Sequence, residues 1–485
     1  MKRKVNITKS QIFAALFLLS LLVLLAPQVS RAVKHNPVLM GEESYYHARI
    51  SRQIIEEGIP TEDNLVHGGR YYMINPYHLI LASVSLLLGG ILASKIIPLV
   101  CGLFSVLLFY FILKEVGFSK LNRITISIVF VLSPVFIYIF SVSTPFCIIA
   151  LLDLLGFYLF MQKEKKFFIF SLVVFSIASL FSLFNLIIIL IIALSYTLAF
   201  KKKKNKLYTL IFLLAAIFFF YYVPRYFRIG FLSPLEINTG LIQQFVTDLG
   251  GIFGFSIFAL LLSILGFAVA WADKKKFYKT YLIMIAIIVY SFFYNSAVFY
   301  SNFIISMLAG IALGGLIKRK WKLNLIRNLS LLLLFCGLIF SAVSYTVRVS
   351  DQQPSAELME SLDWIKNNSN KEDIVFAHHT KGFWIEFQAE RHVLTDSLTD
   401  SSADFKEKID DSSKVFSSWN IEETRAILTK YNISFVLLTS DMSDGLVWDK
   451  PEQGLAYLVR NSETFKKEYS NHHAEVWSYI YHENS

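Results

Sequence analysis

The sequence predicts a polytopic α-helical membrane protein with a separate acidic α/β domain at its C-terminal end. Three observations lead there. The 485 residues are 55% hydrophobic and only 17% charged, with a mean hydropathy of +0.53, whereas a soluble chain is about 25% charged. Apolar runs long enough to cross a hydrocarbon core, which takes ~20 residues as a helix, recur from residue 11 to residue 347. The charge is also split. Residues 349–485 hold 13 Lys+Arg and 24 Asp+Glu, a net of −11, while residues 1–348 carry a net of +21. These numbers divide the chain into a basic transmembrane domain, 1–348, and an acidic soluble domain, 349–485. The formal +10 is no sign of nucleic-acid binding, because the lysines alternate with apolar spans.

Eleven crossings are expected, at 11–30, 93–113, 124–141, 146–161, 167–182, 184–200, 207–223, 252–271, 280–295, 297–317 and 325–347. The first follows MKRKVNITK and is read as a retained anchor rather than a cleaved signal, since many spans come after it. The run Leu79–Gly90 is too short to cross and is read as an interfacial or re-entrant helix. Lysine clusters at the start, at Lys114–Arg123, 162–166, 201–206, 273–279 and 318–322 then all fall on one side. By the positive-inside rule that side is the cytoplasm. The expected topology is a multi-pass cell-membrane protein with a cytoplasmic N-terminus. The loop 31–92, Ser141–Pro145, the loop 224–251 and everything after Val349 then face outward.

The tail alternates helical and strand patterns. ELMESLDWIKNN, IEETRAILTKYN and PEQGLAYLVRN read as helices; DIVFAH, RHVLTD, ISFVLLT, a run near Phe465 and AEVWSYI read as strands. That alternation suggests a small α/β domain. Cys101, Cys147 and Cys336 lie in apolar segments without metal-ligand spacing and read as buried small hydrophobes.

The stretch Pro37–Leu79, the longest polar interruption in the first 220 residues, concentrates the chemistry. Glu42 and Glu43 open it, Tyr45 and Tyr46 follow, then Arg49 and Arg52. Glycosyl transfer from a lipid phosphate needs a carboxylate at the acceptor and positive charge near the leaving phosphate. This stretch supplies both. The tyrosines suit either a sugar or an interfacial aromatic belt. The same acids also suit an ordinary helix start, where the dipole favours negative charge. Arg225, Arg228 and Glu236, on the loop 224–251, are candidates to face the first loop. Asp153, in the middle of a span, reads as a functional acid or as a polar contact joining helices. His378–His379 and His472–His473 read as surface or packing residues, because adjacent side chains on a strand point to opposite faces.

EESYYHARISRQIIEEGIP, directly after the first span, resembles the first outer loop of the C-type glycosyltransferases. Within them it is most similar to the catalytic subunits of oligosaccharyltransferase and related polyprenyl-phosphate glycosyltransferases. The matching pattern is an acid, an aromatic shortly after it and an arginine nine positions on: Glu43, Tyr45 and Arg52. NPYHLILASVSLLLGG resembles the family's return to the membrane. The resemblance implies a multi-span bundle with a catalytic outer face and a polyprenyl- or dolichyl-phosphate-linked donor. Glu43, with Glu42 beside it, would be the catalytic acid, and Arg49, Arg52, Arg225 and Arg228 would hold the donor phosphate. Tyr45, Tyr46 and Glu236 would line the substrate. In metal-using members Glu43 would instead bind a divalent cation, Mg or Mn. The second acidic motif is replaced here by Ser143, Thr144 and Pro145, and a hydroxyl is a poor substitute for a carboxylate on such a cation. In the tail, Gly382, Trp384, Arg391 and Asp396 fit the frame of the family's outer domain, with Trp384 and Asp396 on the acceptor side. His378, His379 and Thr380 stand where the Trp-Trp-Asp of sequon recognition would be.

The expected function is therefore transfer of a sugar or glycan from a polyprenyl-phosphate donor to an extracytoplasmic protein, glycan or glycolipid. Protein oligosaccharyltransfer proper is the near rival. A transporter or lipid-handling protein is the rival of another class. Transporters show internal repeats and broken mid-membrane helices, and neither is evident in the sequence. Membrane lipids are expected partners and nucleic acid is not.

Overall fold

A computed structural model describes residues 8–480, apart from 37–38, 201–203, 230–244, 252, 293–294, 399–403 and 451. The chain divides into two compact units. One comprises Met1–Ser30 with Lys95–Asp351, the other Arg31–Ser94 with Gln352–Ser485.

The first unit is helical. Every one of the eleven expected segments is a helix or contains one, but they differ in length. Six are long and apolar enough to cross a membrane: α1 (Lys9–Val33), the helix Gly90–Val116, Leu183–Phe200, Lys204–Tyr222, Ala297–Lys318 and Asn324–Ser350. The expected span 124–141 is a pair, Lys120–Val131 and Pro134–Ser141, bent by 61°. The bend has a local cause. Pro134 has no N–H and biases Ser133 away from helical geometry, and the Ser133 hydroxyl instead accepts from Phe136 N to start the next helix. Counting that pair gives up to seven spans. Pro145–Met161, Ile257–Ala270 and Tyr278–Tyr290 are shorter apolar helices. The eleven-span count therefore rests on sequence pattern, while length and composition support six or seven.

Helix Asn295–Lys318 is the packing centre of this unit, and glycines set its approach to its neighbours. A Cβ on Gly266 would stand 1.9 Å from the Leu308 carbonyl oxygen, and one on Gly310 would stand 2.4 Å from Ile126 Cα. Small residues let membrane helices come this close where lipid gives no hydrophobic drive for association. Asp153 joins three helices in the same unit, accepting from Tyr300 at 3.0 Å and from Asn185 at 3.4 Å. This is the helix-joining role considered for it. Cys101 and Cys147 are buried as expected, but Cys336 is exposed on the outer face of its helix.

The second unit holds a five-stranded sheet. Its strands are β3 (Ile374–Phe376), β4 (His392–Val393), β5 (Ile433–Thr439), β6 (Phe465–Ser470) and β7 (Ala474–Tyr479). β3 runs parallel to β4 and β5, while β7 is antiparallel to β5 and β6. Alternation along β5 builds two cores. Phe435 and Leu437 face one layer with Leu358, Leu362 and Ile365; Val436 and Leu438 face another with Leu428, Leu455 and Val459.

The first loop belongs to this unit. Its helix α2 (Glu42–Glu57) contributes Tyr45, Ala48 and Ile50 to the first of those cores. A hairpin of β1 (Glu62–Asp63) and β2 (Arg70–Tyr71) follows. The chain between them lies along the free edge of β4, with Val393 N donating to Leu65 O and His67 N donating to Val393 O, both at 2.8 Å. An edge that would otherwise expose unpaired backbone is thereby covered. The loop closes with α3 (Pro76–Leu88), capped by Asn75, which accepts from Tyr77 N at 2.9 Å. Thirteen helical residues reach about 20 Å, short of the ~30 Å core, as the sequence pattern suggested for this run.

Helix propensity alone favours Ala over Gly by about 1 kcal/mol, so Gly266→Ala and Gly310→Ala would be expected to stabilise if packing were indifferent. The 1.9 Å and 2.4 Å approaches to backbone atoms reverse the sign. Both variants are expected to melt below wild type in detergent, measured by thermal unfolding.

Candidate functional site

The second unit contains an unbroken chain of buried charge. Arg49 forks onto Asp63, Nη1 to Oδ1 at 2.9 Å and Nη2 to Oδ2 at 2.7 Å, and Nη2 also lies 2.8 Å from Glu386. Arg70 bonds the same Asp63 oxygen with Nη2 at 2.7 Å and reaches Asp396 with Nη1 at 2.7 Å. The order is Glu386–Arg49–Asp63–Arg70–Asp396, and none of the five is more than 7% exposed. Burial raises the carboxyl pKa of Asp63, but the two guanidiniums overcome it and hold the group well below the usual range. Glu386 goes the other way. Burial pushes its pKa well up and Arg49 only partly opposes this. A protonated Glu386 leaves two guanidiniums against two carboxylates, a neutral set.

On the same helix, α2, stand the two acids of the sequence motif. The helix starts at Glu42 after Gly41, whose φ of 72° few side-chain-bearing residues adopt. Both carboxyls are set deep among protein atoms yet keep partial access to solvent. Glu42 accepts from the Ser397 hydroxyl at 2.9 Å. Its pKa is raised to about 7, chiefly by burial, with Ser397 pulling it down and Glu43 pushing it up. Glu43 has no hydrogen-bond or ion-pair partner among the described residues, and burial alone raises its pKa. A helix N-terminus favours an anion by only about 0.3–1 kcal/mol, and one pKa unit is worth 1.36 kcal/mol. The dipole therefore cannot offset a shift from 4.5 to about 7. These acids are not ordinary helix-start residues.

One turn on from Glu43, His47 continues the same helical face. Its Nδ1 lies 2.7 Å from His78 Nε2, and Tyr72 Oη lies 2.7 Å from His78 Nδ1. Burial lowers both imidazoles, His47 to about 3, so the chain Tyr72–His78–His47 is held neutral.

Several residues singled out from the sequence sit elsewhere than expected. Arg49 is committed to Asp63 and Glu386 instead of facing a phosphate. Arg52, three positions on, points the other way, half-exposed, to Glu390 at 3.1 Å and over the Phe387 ring. Tyr45 is core: it donates to Leu39 O at 3.1 Å and packs edge-on to Phe387. Tyr46 packs at a tilt against Phe383, with Arg49 and Arg70 over its ring. Trp384 is buried beneath Lys381, and Asp396 is spent on Arg70, so neither presents a surface to an acceptor. Their frame has a structural reason. A Cβ on Gly382 would stand 2.5 Å from Asp396 Cβ, and Arg391 caps helix Ala356–Asn368 through Lys366 O and Ser369 O, both at 2.7 Å. Arg225 and Arg228 fall on helix Val223–Ile229 with side chains outside the described residues, and Glu236 lies wholly outside them.

Asp63, Arg70, Lys381, Glu386 and Ser397 were not singled out from sequence. The Gly68–Gly69 pair between polar residues was the available signal for a hairpin carrying Asp63 and Arg70, because both glycines have positive φ there. Among the described residues no three His, Cys, Asp or Glu side chains gather to hold a metal. Of the acids here, Asp63 and Asp396 are neutralised by arginine, and Glu42 and Glu43 are biased toward protonation.

The fold is that of the C-type membrane glycosyltransferases. The oligosaccharyltransferase of Archaeoglobus fulgidus superposes with a TM-score of 0.63 at 13% identity, over 90% of this chain and 70% of that one. ArnT from Cupriavidus metallidurans matches at 0.56 and 13% identity, over 98% of this chain and 99% of that one. The mycobacterial arabinofuranosyltransferase AftD matches at 0.57 and 11% identity, over 98% of this chain and 42% of that one. Identities this low establish a common fold. No protein-family model and no curated protein matches the sequence.

Two outcomes are expected. Asp63→Ala leaves two buried guanidiniums short of a carboxylate and should cost about 3–5 kcal/mol, measured by denaturant unfolding in detergent. Glu42 should make stability depend on pH. Its folded pKa lies above its unfolded one, so its contribution is complete below about 4.5 and is lost as pH rises through about 7. Glu42→Gln should therefore gain melting temperature over wild type at about pH 8 but not at about pH 4.

Proposed function

We propose that this protein transfers a sugar from a polyprenyl-phosphate-linked donor to a hydroxyl acceptor at the outer membrane face, with Glu43 as general base. The observation that carries the reading is Glu43 itself: a deep-set carboxyl with raised pKa and no partner among the described residues. A general base works best when its pKa lies near the operating pH. Burial moves a carboxyl in that direction. Glu43 takes the proton of the acceptor hydroxyl as its oxygen bonds to the anomeric carbon. The bond from that carbon to the phosphate oxygen breaks, the phosphate keeps the electron pair, and the configuration inverts. Glu42, held by Ser397, stands beside the base as a second acid, its own pKa raised by burial and by the neighbouring Glu43. Arg49 and Arg70 hold α2 in place and Arg52 remains the accessible cation of that helix.

Two further observations support a lipid-phosphate donor. Solved neighbours of this fold include ArnT bound to undecaprenyl phosphate and the Archaeoglobus enzyme AglB bound to dolichol-phosphate and an inhibitory peptide. His378, His379 and Thr380 stand where the resemblance would put the Trp-Trp-Asp of sequon recognition, which favours single-sugar transfer over sequon-directed oligosaccharide transfer. The buried positions of Trp384 and Asp396 point the same way. The positive-inside pattern of the lysine clusters supports a cytoplasmic N-terminus and an outward-facing first loop.

The test is transfer from radiolabelled polyprenyl-phosphate sugars by reconstituted protein. Glu43→Gln should lose on the order of 10²–10⁴ in rate while still binding donor. In wild type the rate should rise with pH, with its half-point above the ordinary carboxylate range. Transfer undiminished in Glu43→Gln would remove this residue from the mechanism.

A further inference from the structure

The first unit contains an apolar cavity of about 270 Å³ that the transfer chemistry does not use. Five helices line it; three of them contribute their last residues, Val116, Met161 and Phe200, and a fourth contributes Thr280, in its second turn. Each of those four lies within four positions of a lysine, namely Lys114, Lys163, Lys204 and Lys279. One end of the cavity is therefore at the basic end of the bundle. The lining runs inward from Phe200 to Ile192 and from Met161 to Asp153, eight residues in each case, or about 12 Å of helix.

The inner wall offers little to a polar guest. Asp153 and Tyr300 reach it, but they are bonded to each other and to Asn185. Cavities of this apolar kind do not hold water. Just beyond the lining residues in sequence the situation is reversed. Lys114, Lys163, Lys204 and Lys279 are exposed, and none makes an ion pair among the described residues. An apolar slot about two turns deep, on helices whose ends carry these four lysines against two neighbouring acids, Glu115 and Glu164, matches a molecule with an anionic head and a hydrocarbon chain.

We propose that this cavity holds one acyl chain of an anionic glycerophospholipid, with its phosphate among these four lysines. Basic residues near a bilayer surface attract anionic headgroups, but diffuse attraction gives no chain selectivity. The cavity adds a seat for the chain, so that the lipid is a bound component of the bundle rather than part of the annulus. The site lies wholly within the first unit and does not depend on Glu43 or on the transfer reaction.

Full-length protein reconstituted in phosphatidylcholine bilayers provides the test. Trace chain-spin-labelled phosphatidylglycerol or phosphatidylcholine is added, without donor sugar, and the motionally restricted fraction is read by electron spin resonance. Phosphatidylglycerol should show a restricted fraction severalfold larger than phosphatidylcholine. The variant K114Q/K163Q/K204Q/K279Q, changed only at exposed positions, should bring the two to parity. Ile192→Trp, or Ser195→Phe if the first does not fold, should lower the phosphatidylglycerol fraction with all four lysines intact. Equal fractions in wild type would overturn the proposal. So would a fraction unmoved by filling the cavity. Displacement of the label by polyprenyl phosphate, but not by unlabelled phosphatidylglycerol, would give the cavity to an isoprenoid chain and overturn it as well.

Discussion

Asp63 accepts from two arginines at once, and much of the second unit depends on that arrangement. It lies on a two-residue strand between two apolar helices, in a stretch with little hydrophobic surface of its own. Through Arg49 it fixes α2, through Arg70 and Asp396 it fixes the segment after β4, and through Arg49 and Glu386 it fixes the turn before β4. Buried ion pairs recover their desolvation cost only when geometry is good and the remaining valences are satisfied. The bidentate Arg49–Asp63 pair meets the first condition. The second is met only in part: the charge set is near neutral, but Arg49 Nε is buried without a hydrogen-bond partner among the described residues. The main return is specificity of placement: α2 has one position in which both guanidiniums are matched.

That rigidity bears on chemistry because α2 also carries Glu42 and Glu43. The arginines and Asp63 are held charged by one another. The two glutamates are held toward neutrality by burial without a cation in bonding contact. Groups a turn or two apart on one helix thus have opposite proton affinities, set by neighbours rather than by residue type. A carboxyl that must accept and release a proton is better served by the second environment than the first.

The membrane unit follows different rules. Glycine faces bring backbones into contact at Gly266 and Gly310, and a buried Asp153–Asn185–Tyr300 group joins three helices where hydrophobicity cannot distinguish protein from lipid. Elsewhere along the same helix, Tyr300, Phe303, Ile304 and Met307 border a cavity instead. Backbone contact and void thus lie side by side on Asn295–Lys318, with contact where glycines stand on it or its neighbours.

The sequence by itself determined the membrane class, the positions of the helical segments, the five strands of the tail and the start of α2. These are local matters, set by hydropathy over ~20 residues, by period-two alternation and by capping residues. It also directed attention to Glu43. Only tertiary structure decided which charges would be available. Arg49 and Arg52 are three apart in sequence, yet one is sealed against Asp63 and the other meets solvent. Tyr45, Tyr46, Trp384 and Asp396 look like binding residues in sequence and are core. A side chain's partners more than 300 positions away, as Asp396 is from Arg70, leave no periodic trace in the chain, so their effect on charge and burial appears only once the chain is folded.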